Sequence, residues 1–301
     1  MISFNKLDPA RKADYDAFLL NCGQRGCEYN FANLYLWGRQ RAAFLEDSLV
    51  FFSQFNQRSV YLFPVCRGNV KETLDAIIHD AHTRGIPCRL TSLTHDDCDL
   101  VESLYPGQFR FHHDRNSFDY IYNIEDLATL KGKKFQKKRN HLNKFKQMHP
   151  DYRLEPITQE NTPQVQQLLE QWYASRLEAD PSADFYMEQI AISRALRHRQ
   201  ELDMEGLVLM DGDQLLAMTL GSRLSSNTFD VQFEKAIDET AYVAMCSGFA
   251  GWLMDKHPDI CHLNREDDLG IEGLRKSKLA YNPVTMIEKH WACLKEDGCE
   301  Y

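Results

Sequence analysis

Apolar positions recur at helical spacing in Pro9–Leu20, through Ala13, Ala17 and Leu20, and again in the aromatic patch Tyr29–Trp37, which predicts two opening helices. Arg41–Leu45, Leu49–Phe55 and Ser59–Val65 are short runs rich in Phe, Val and Tyr, separated by polar breaks, and they predict an antiparallel meander. Leu74, Ile77, Ile78 and Ala81 mark a helix closed by Gly85, Pro87–Leu93 a strand, and Thr94–Tyr105 a shorter helix with Thr94 as its N-cap. Phe109–His112 and Phe118–Tyr122 read as a closing pair of strands.

The second half repeats this order. Thr162-Pro163 opens a helix with Val165, Leu168, Leu169 and Trp172 on one face, and a further helix runs over Asp184–His198. Strands follow at Leu207–Met210, Leu215–Gly221 and Thr228–Glu234, the first two joined by the hairpin signal Asp211-Gly212-Asp213. Tyr242, Met245, Phe249, Trp252 and Leu253 define a helix, Ile260–Leu263 a strand, Ile271–Ala280 a helix and Val284–Lys289 a last strand. Two helices, three antiparallel strands, then helix, strand, helix, strand resembles the GNAT acyltransferase layout, here occurring twice. The expected fold is α+β: two tandem GNAT-like domains at residues 1–125 and 151–301, each a mixed, largely antiparallel sheet flanked by helices, joined by a basic helix at 126–150. Fold of this kind does not fix function.

Thirty-five Lys and Arg stand against 44 Asp and Glu, a net charge of −9 that disfavours polyanions over the surface as a whole. Lys131–Lys146 reverses this locally, with eight Lys or Arg and no acid, which leaves −17 on the remainder. Phe135, Leu142 and Phe145 form an apolar stripe that would dock this helix, leaving Lys134, Lys137, Lys138, Arg139 and Asn140 to face an anion: an RNA acceptor end, coenzyme A phosphates or lipid headgroups. A solvated interdomain helix is the plainer reading of such a charge run.

Asn264 and Arg265 end a strand, and Glu266, Asp267 and Asp268 follow in a loop entering a helix that carries Arg275 and Lys278. A carboxylate there would take a proton from an attacking amine, while Arg275 or Lys278 neutralises charge on a carbonyl or phosphate. The alternative is a polar turn with acids favouring the helix dipole. Glu234 and Lys235 close a strand, where alternation turns one of them inward. The loop that follows lacks the Gly-rich Q/R-x-x-G-x-G/A pattern that holds the coenzyme A pyrophosphate in GNAT acetyltransferases, which counts against acetyl-CoA.

The longest apolar run, Ala241–Met254, is shorter than the roughly 18 residues that cross a bilayer. No leader pattern opens the chain, and nine scattered cysteines without a C-x-x-C fit neither a disulfide framework nor a zinc site, which points to a cytoplasmic location and no metal. Cys246 reads as a buried structural thiol.

Tyr29–Trp37, Phe118–Tyr122, Leu130–Phe145, Phe233–Lys235 and Asn264–Lys278 together resemble the family of the phosphatidylglycerol lysyltransferase C-terminal domain. The resemblance spans nearly the whole chain and implies paired GNAT-like domains, as in Fem-type peptidoglycan aminoacyltransferases. It implies an amino acid passed from aminoacyl-tRNA to an amine or hydroxyl of a small molecule or peptide, with the basic helix gripping the tRNA end and no further cofactor. An acetyl-CoA-dependent N-acetyltransferase and a non-catalytic anion-binding module, including peripheral contact with a membrane surface, remain the alternatives.

Overall fold

The computed structural model describes residues 1–23, 25–55 and 58–298. The chain opens with strand β1 (Asn5–Lys6), helices α1 (Lys12–Leu19) and α2 (Phe31–Leu36), and strands β2 (Gln40–Leu45), β3 (Ser48–Phe55) and β4 (Arg58–Cys66). Helix α3 (Val70–Arg84), strand β5 (Arg89–Leu93), helix α4 (His95–Leu104) and strand β6 (Phe109–His113) follow. Next come β7 (Asp119–Asn123), α5 (Ile124–Thr129), the basic helix α6 (Gln136–Met148), β8 (Arg153–Pro156), α7 (Thr162–Ala179) and α8 (Tyr186–His198). The remainder is β9 (Glu205–Asp211), β10 (Gln214–Arg223), β11 (Thr228–Ala236), α9 (Glu239–Lys256), β12 (His262–Asn264), α10 (Glu272–Leu279), β13 (Thr285–Ile287) and β14 (His290–Leu294).

Two seven-stranded sheets result, ordered β1-β2-β3-β4-β5-β14-β6 and β13-β7-β12-β11-β10-β9-β8. Each contains the antiparallel meander expected from the sequence and a parallel pair, β4 with β5 and β11 with β12. The compact units are discontinuous, unlike the contiguous 1–125 and 151–301 expected from the sequence: one comprises residues 1–119, 267–274 and 286–301, the other 120–266 and 275–285. Strand Phe118–Tyr122, expected beside Phe109–His112, instead lies next to β12 in the second sheet, whereas β14 pairs with both β5 and β6 in the first. The strand expected at Val284–Lys289 is the short β13, and β14 follows it separately. Period-2 patterning identifies a strand and says nothing about its neighbour.

In the first unit, Asn69 caps α3 by accepting the Lys71 N–H, and Gly85 ends it at φ 68°. Leu74, Ile77 and Ala81 of α3 then pack against Val50, Phe52, Tyr61 and Phe63, joined by Ala292 and Leu294 of β14. Thr94 and Asp97 close a capping box on α4, and Arg25 grips Asp97 at 2.6 and 2.9 Å. Among the described residues, seven cysteines keep their thiols outside any disulfide and Cys293 is disulfide-bonded.

In the second unit α9 is mostly buried, and Ser247 ties it to α5 by donating to the Ala128 carbonyl at 2.7 Å. No helix among the described residues is long and apolar enough to cross a membrane. Gly221 sits at a register shift between β10 and β11, where a Cβ would lie 2.2 Å from the Asp230 carbonyl oxygen. A Gly221→Ala substitution is expected to lower stability by about 1–3 kcal/mol through forced backbone movement, measured by urea denaturation; an unchanged midpoint would show that the strands separate freely.

Candidate active site

Strands β11 and β12 run parallel through Thr228↔His262, Phe229↔Leu263 and Asp230↔Asn264, after which β12 stops and β11 continues to Ala236. Past that point Asn264 accepts the Glu266 N–H at 2.7 Å, Glu266 adopts φ 55°, and Arg265 and Glu266 bond to the Tyr120 backbone. This turn brings the Arg265 side chain to Glu234, the next acid along β11.

Arg265 is 3% exposed. Its Nε and Nη2 donate to Glu234 Oε2 at 3.0 and 2.8 Å, and Nη2 also meets the Tyr242 hydroxyl, which itself donates to Glu234 at 3.1 Å. The rings of Tyr281, Tyr122 and Tyr242 lie 4.8, 5.2 and 5.6 Å from the guanidinium carbon. Burial opposes the charge, but Glu234 and the surrounding tyrosines outweigh it and hold the guanidinium well above its usual pKa. Nη1 is buried with no hydrogen-bond partner.

Two lysines complete the cluster. Lys278 donates through Nζ to the Arg265 carbonyl, and its own carbonyl accepts the Tyr122 hydroxyl at 2.8 Å. Lys138, buried on α6, holds Nζ 4.2 Å from the Tyr281 ring centre and 3.6 Å from Glu239. Burial lowers its pKa, Glu239 pulls the other way, and the Arg265 charge lowers it again. A lysine so placed releases its proton more readily than a solvated one. Cys246 is nearby, and burial pushes its thiol up to about 11, which keeps it protonated and unreactive near neutrality.

The other residues singled out in the sequence fall elsewhere. Lys137 and Asn140 are exposed, Lys134 pairs with Asp126 at 2.7 Å, and Arg139 donates to the Leu130 and Gly132 carbonyls, where it secures the turn ahead of α6. Lys235 is buried against Glu188 at 2.7 Å and the Trp172 ring at 4.0 Å. Asp268 is fully buried, accepts the Gly270 N–H at 2.9 Å and lies 3.5 Å from Arg115. The three acids are divided: Glu266 belongs to the second unit, Asp267 and Asp268 to the first. Arg275 is half-buried on α10.

Tyr122, Tyr242, Tyr281 and Glu239 were missed by sequence reasoning. The position of Lys138 had a signal, since it is three residues after Phe135 and four before Leu142, inside the apolar stripe.

Residues 21–293 match the family described as phosphatidylglycerol lysyltransferase, C-terminal. A conserved protein of unknown function from Bacteroides thetaiotaomicron is 35% identical, with 98% of this chain and 100% of that chain covered and a TM-score of 0.93. L-PGS from Bacillus licheniformis superposes with a TM-score of 0.69 at 17% identity, covering 97% of this chain and 93% of the other. FemX gives 0.59 at 11% identity, covering 97% of each chain. These last two are likenesses of fold alone. An uncharacterised protein of Mycoplasmoides gallisepticum is 28% identical over 203 residues, which are 67% of this chain and 63% of that protein's length.

Proposed function

The chain belongs to the phosphatidylglycerol lysyltransferase C-terminal family, and on that basis we propose that it passes an amino acid from aminoacyl-tRNA to an amine or hydroxyl of a small molecule or peptide. At the coarser level, family and fold point to an acyl or aminoacyl transferase. The observation that carries the choice of donor is the first turn of α9. In a GNAT acetyltransferase the helix after this strand receives the coenzyme A pyrophosphate on its free N–H groups. Here the Asp238 carboxylate already accepts from the Thr240 and Ala241 N–H groups at 2.7 and 2.9 Å, and Glu239 adds a second negative charge. A pyrophosphate would meet like charge and two N–H groups that are already engaged.

Free cations lie on α6 instead. Lys137 and Lys144, with Asn140 between them at helical spacing, form an exposed stripe, and neither lysine is in an ion pair among the described residues. They are suited to phosphates of an RNA end. Replacing both with Ala should weaken tRNA binding and reduce the log–log salt slope by roughly 1 for each phosphate no longer neutralised; an unchanged slope in filter binding would remove α6 from recognition.

Transfer requires a new bond from the acceptor nitrogen or oxygen to the ester carbonyl, loss of the acceptor proton, and departure of the ribose oxygen with a proton. Lys138, whose burial eases loss of its proton, takes the acceptor proton in its unprotonated form and returns it to the leaving oxygen. Arg265 Nη1, a buried donor without a partner, supports the oxyanion of the tetrahedral intermediate. Supplying labelled aminoacyl-tRNA and acetyl-CoA in parallel tests the donor. Label transferred only from tRNA supports the reading, whereas turnover of acetyl-CoA alone establishes an acetyltransferase.

A further inference from the structure

The first unit contains a cavity of about 680 Å³ that the proposed transfer site does not use. Strands β5 and β14 are in register at Leu90↔Ala292 and Leu93↔His290, so Thr91 and Ser92 together oppose the single residue Trp291. That is a β-bulge, and Ser92 is held at φ 60°, a conformation costly for a residue with a side chain. All three bulge residues line the cavity. On its other side β5 keeps only two parallel pairs with β4, Tyr61↔Leu90 and Leu62↔Thr91. The sheet is therefore opened where the cavity lies, and Leu34, Phe51 and Leu62 supply an apolar wall.

Glu28 on the wall belongs to an unevenly matched charge cluster. Lys289 meets Asp119 at 2.6 Å and Glu28 at 2.8 Å, with the Cys27 thiol at 3.5 Å, so one ammonium serves two carboxylates. Cys27, Glu28 and Asp119 are grouped closely enough to hold a metal ion, and the lysine ammonium stands among them. Gly26 makes room for this cluster, since a Cβ there would lie 2.6 Å from both Glu28 Oε2 and Lys289 Cε. Burial, with Asp119 adding to it, pushes the Glu28 carboxyl upward against the pull of Lys289. Glu28 Oε2 is buried without a hydrogen-bond partner, and so is Gln40 Oε1; both residues line the cavity. Arg58, also on the wall, is exposed and in no ion pair among the described residues. Two carboxylates sharing one ammonium, with an exposed guanidinium on the same wall, suit a ligand carrying both charges, and the volume suits a molecule of drug-like size.

We propose that this cavity binds a zwitterionic short peptide or amino-acid derivative. Its ammonium lies at the excess negative charge of Glu28 and Asp119, its carboxylate pairs with Arg58, and its apolar side chain lies against Phe51, Leu62 and Trp291. Binding requires no tRNA, so its failure leaves the transfer reaction untouched and the reverse also holds.

Titration calorimetry of the full chain with L-alanyl-L-phenylalanine, its N-acetyl form and its C-terminal amide tests this. The free dipeptide should bind, and each blocked form should bind about tenfold more weakly, as expected when one charge-assisted hydrogen bond is removed. Arg58→Ala should weaken the dipeptide by a similar factor and leave the amide unchanged, while Trp291→Ala weakens all three. Arg58 is on the surface, so its variant should melt as the parent does. No binding of the dipeptide, equal binding of the three forms, or equal weakening of dipeptide and amide in Arg58→Ala would overturn the assignment.

Discussion

Arg265→Met is expected to reduce the free energy of unfolding by about 3–5 kcal/mol, the range for removing one partner of a buried ion pair. Methionine roughly fills the volume of the arginine stem, so the loss arises from charge and hydrogen bonding. Glu234 loses the donors at 2.8 and 3.0 Å and keeps only the Tyr242 hydroxyl. A carboxylate only 15% exposed and left with one neutral donor is poorly solvated, and water must enter or the strand end must move. The double variant Arg265→Met/Glu234→Gln removes the stranded charge and should recover a large part of the loss. Denaturant unfolding of the parent, both single variants and the double variant gives the coupling directly. Additive losses would mean that the pair does not act as a unit.

This pair also shows what was legible in the sequence. Both residues were identified, Glu234 because a strand end turned one of two charges inward and Arg265 because it adjoined an unusual run of acids. Their partnership was not, because it depends on β11 outrunning β12, which is a property of pairing rather than of either segment. The same limit applies to β7 and β14. Asp119, Tyr120, Ile121 and Tyr122 are all buried, and that pattern identifies a central strand without naming the sheet. The hairpin between β9 and β10 was readable because Asp211-Gly212-Asp213 is local, and Gly212 takes φ 56° there. The sequence docks the basic helix through Phe135, Leu142 and Phe145 and predicts that its cations face outward. Composition concealed that one of its cations, Lys138, falls on the apolar stripe with Phe135 and Phe145, whereas Arg139 is engaged by carbonyls. Charge count thus located the element, and helical phase was needed to separate its solvated cations from its buried one.

The buried lysine leads to the other large effect. Lys138→Met should lower kcat for aminoacyl transfer by about 10²–10⁴, the usual contribution of a positioned general base. Lys138→Arg separates base from charge, because a guanidinium keeps the positive charge over Tyr281 and cannot give up its proton near neutrality. Activity as low in the Arg variant as in the Met variant supports proton transfer; rescue by Arg would reassign Lys138 to charge placement alone. The pH profile supplies a second reading. Burial lowers the folded-state pKa of Lys138 from the ordinary 10.5, so its neutral fraction, and with it the rate, should rise with pH through that lowered value and then level off. Stability moves in the same direction. Between the lowered folded value and 10.5 the unfolded chain binds more protons than the folded one, so the free energy of unfolding rises with pH across that window. Lys138→Met should abolish both rises while leaving the salt dependence of tRNA binding intact, since the exposed Lys137 and Lys144 are unaltered. A Met variant with the parental pH profile would exclude Lys138 as the base.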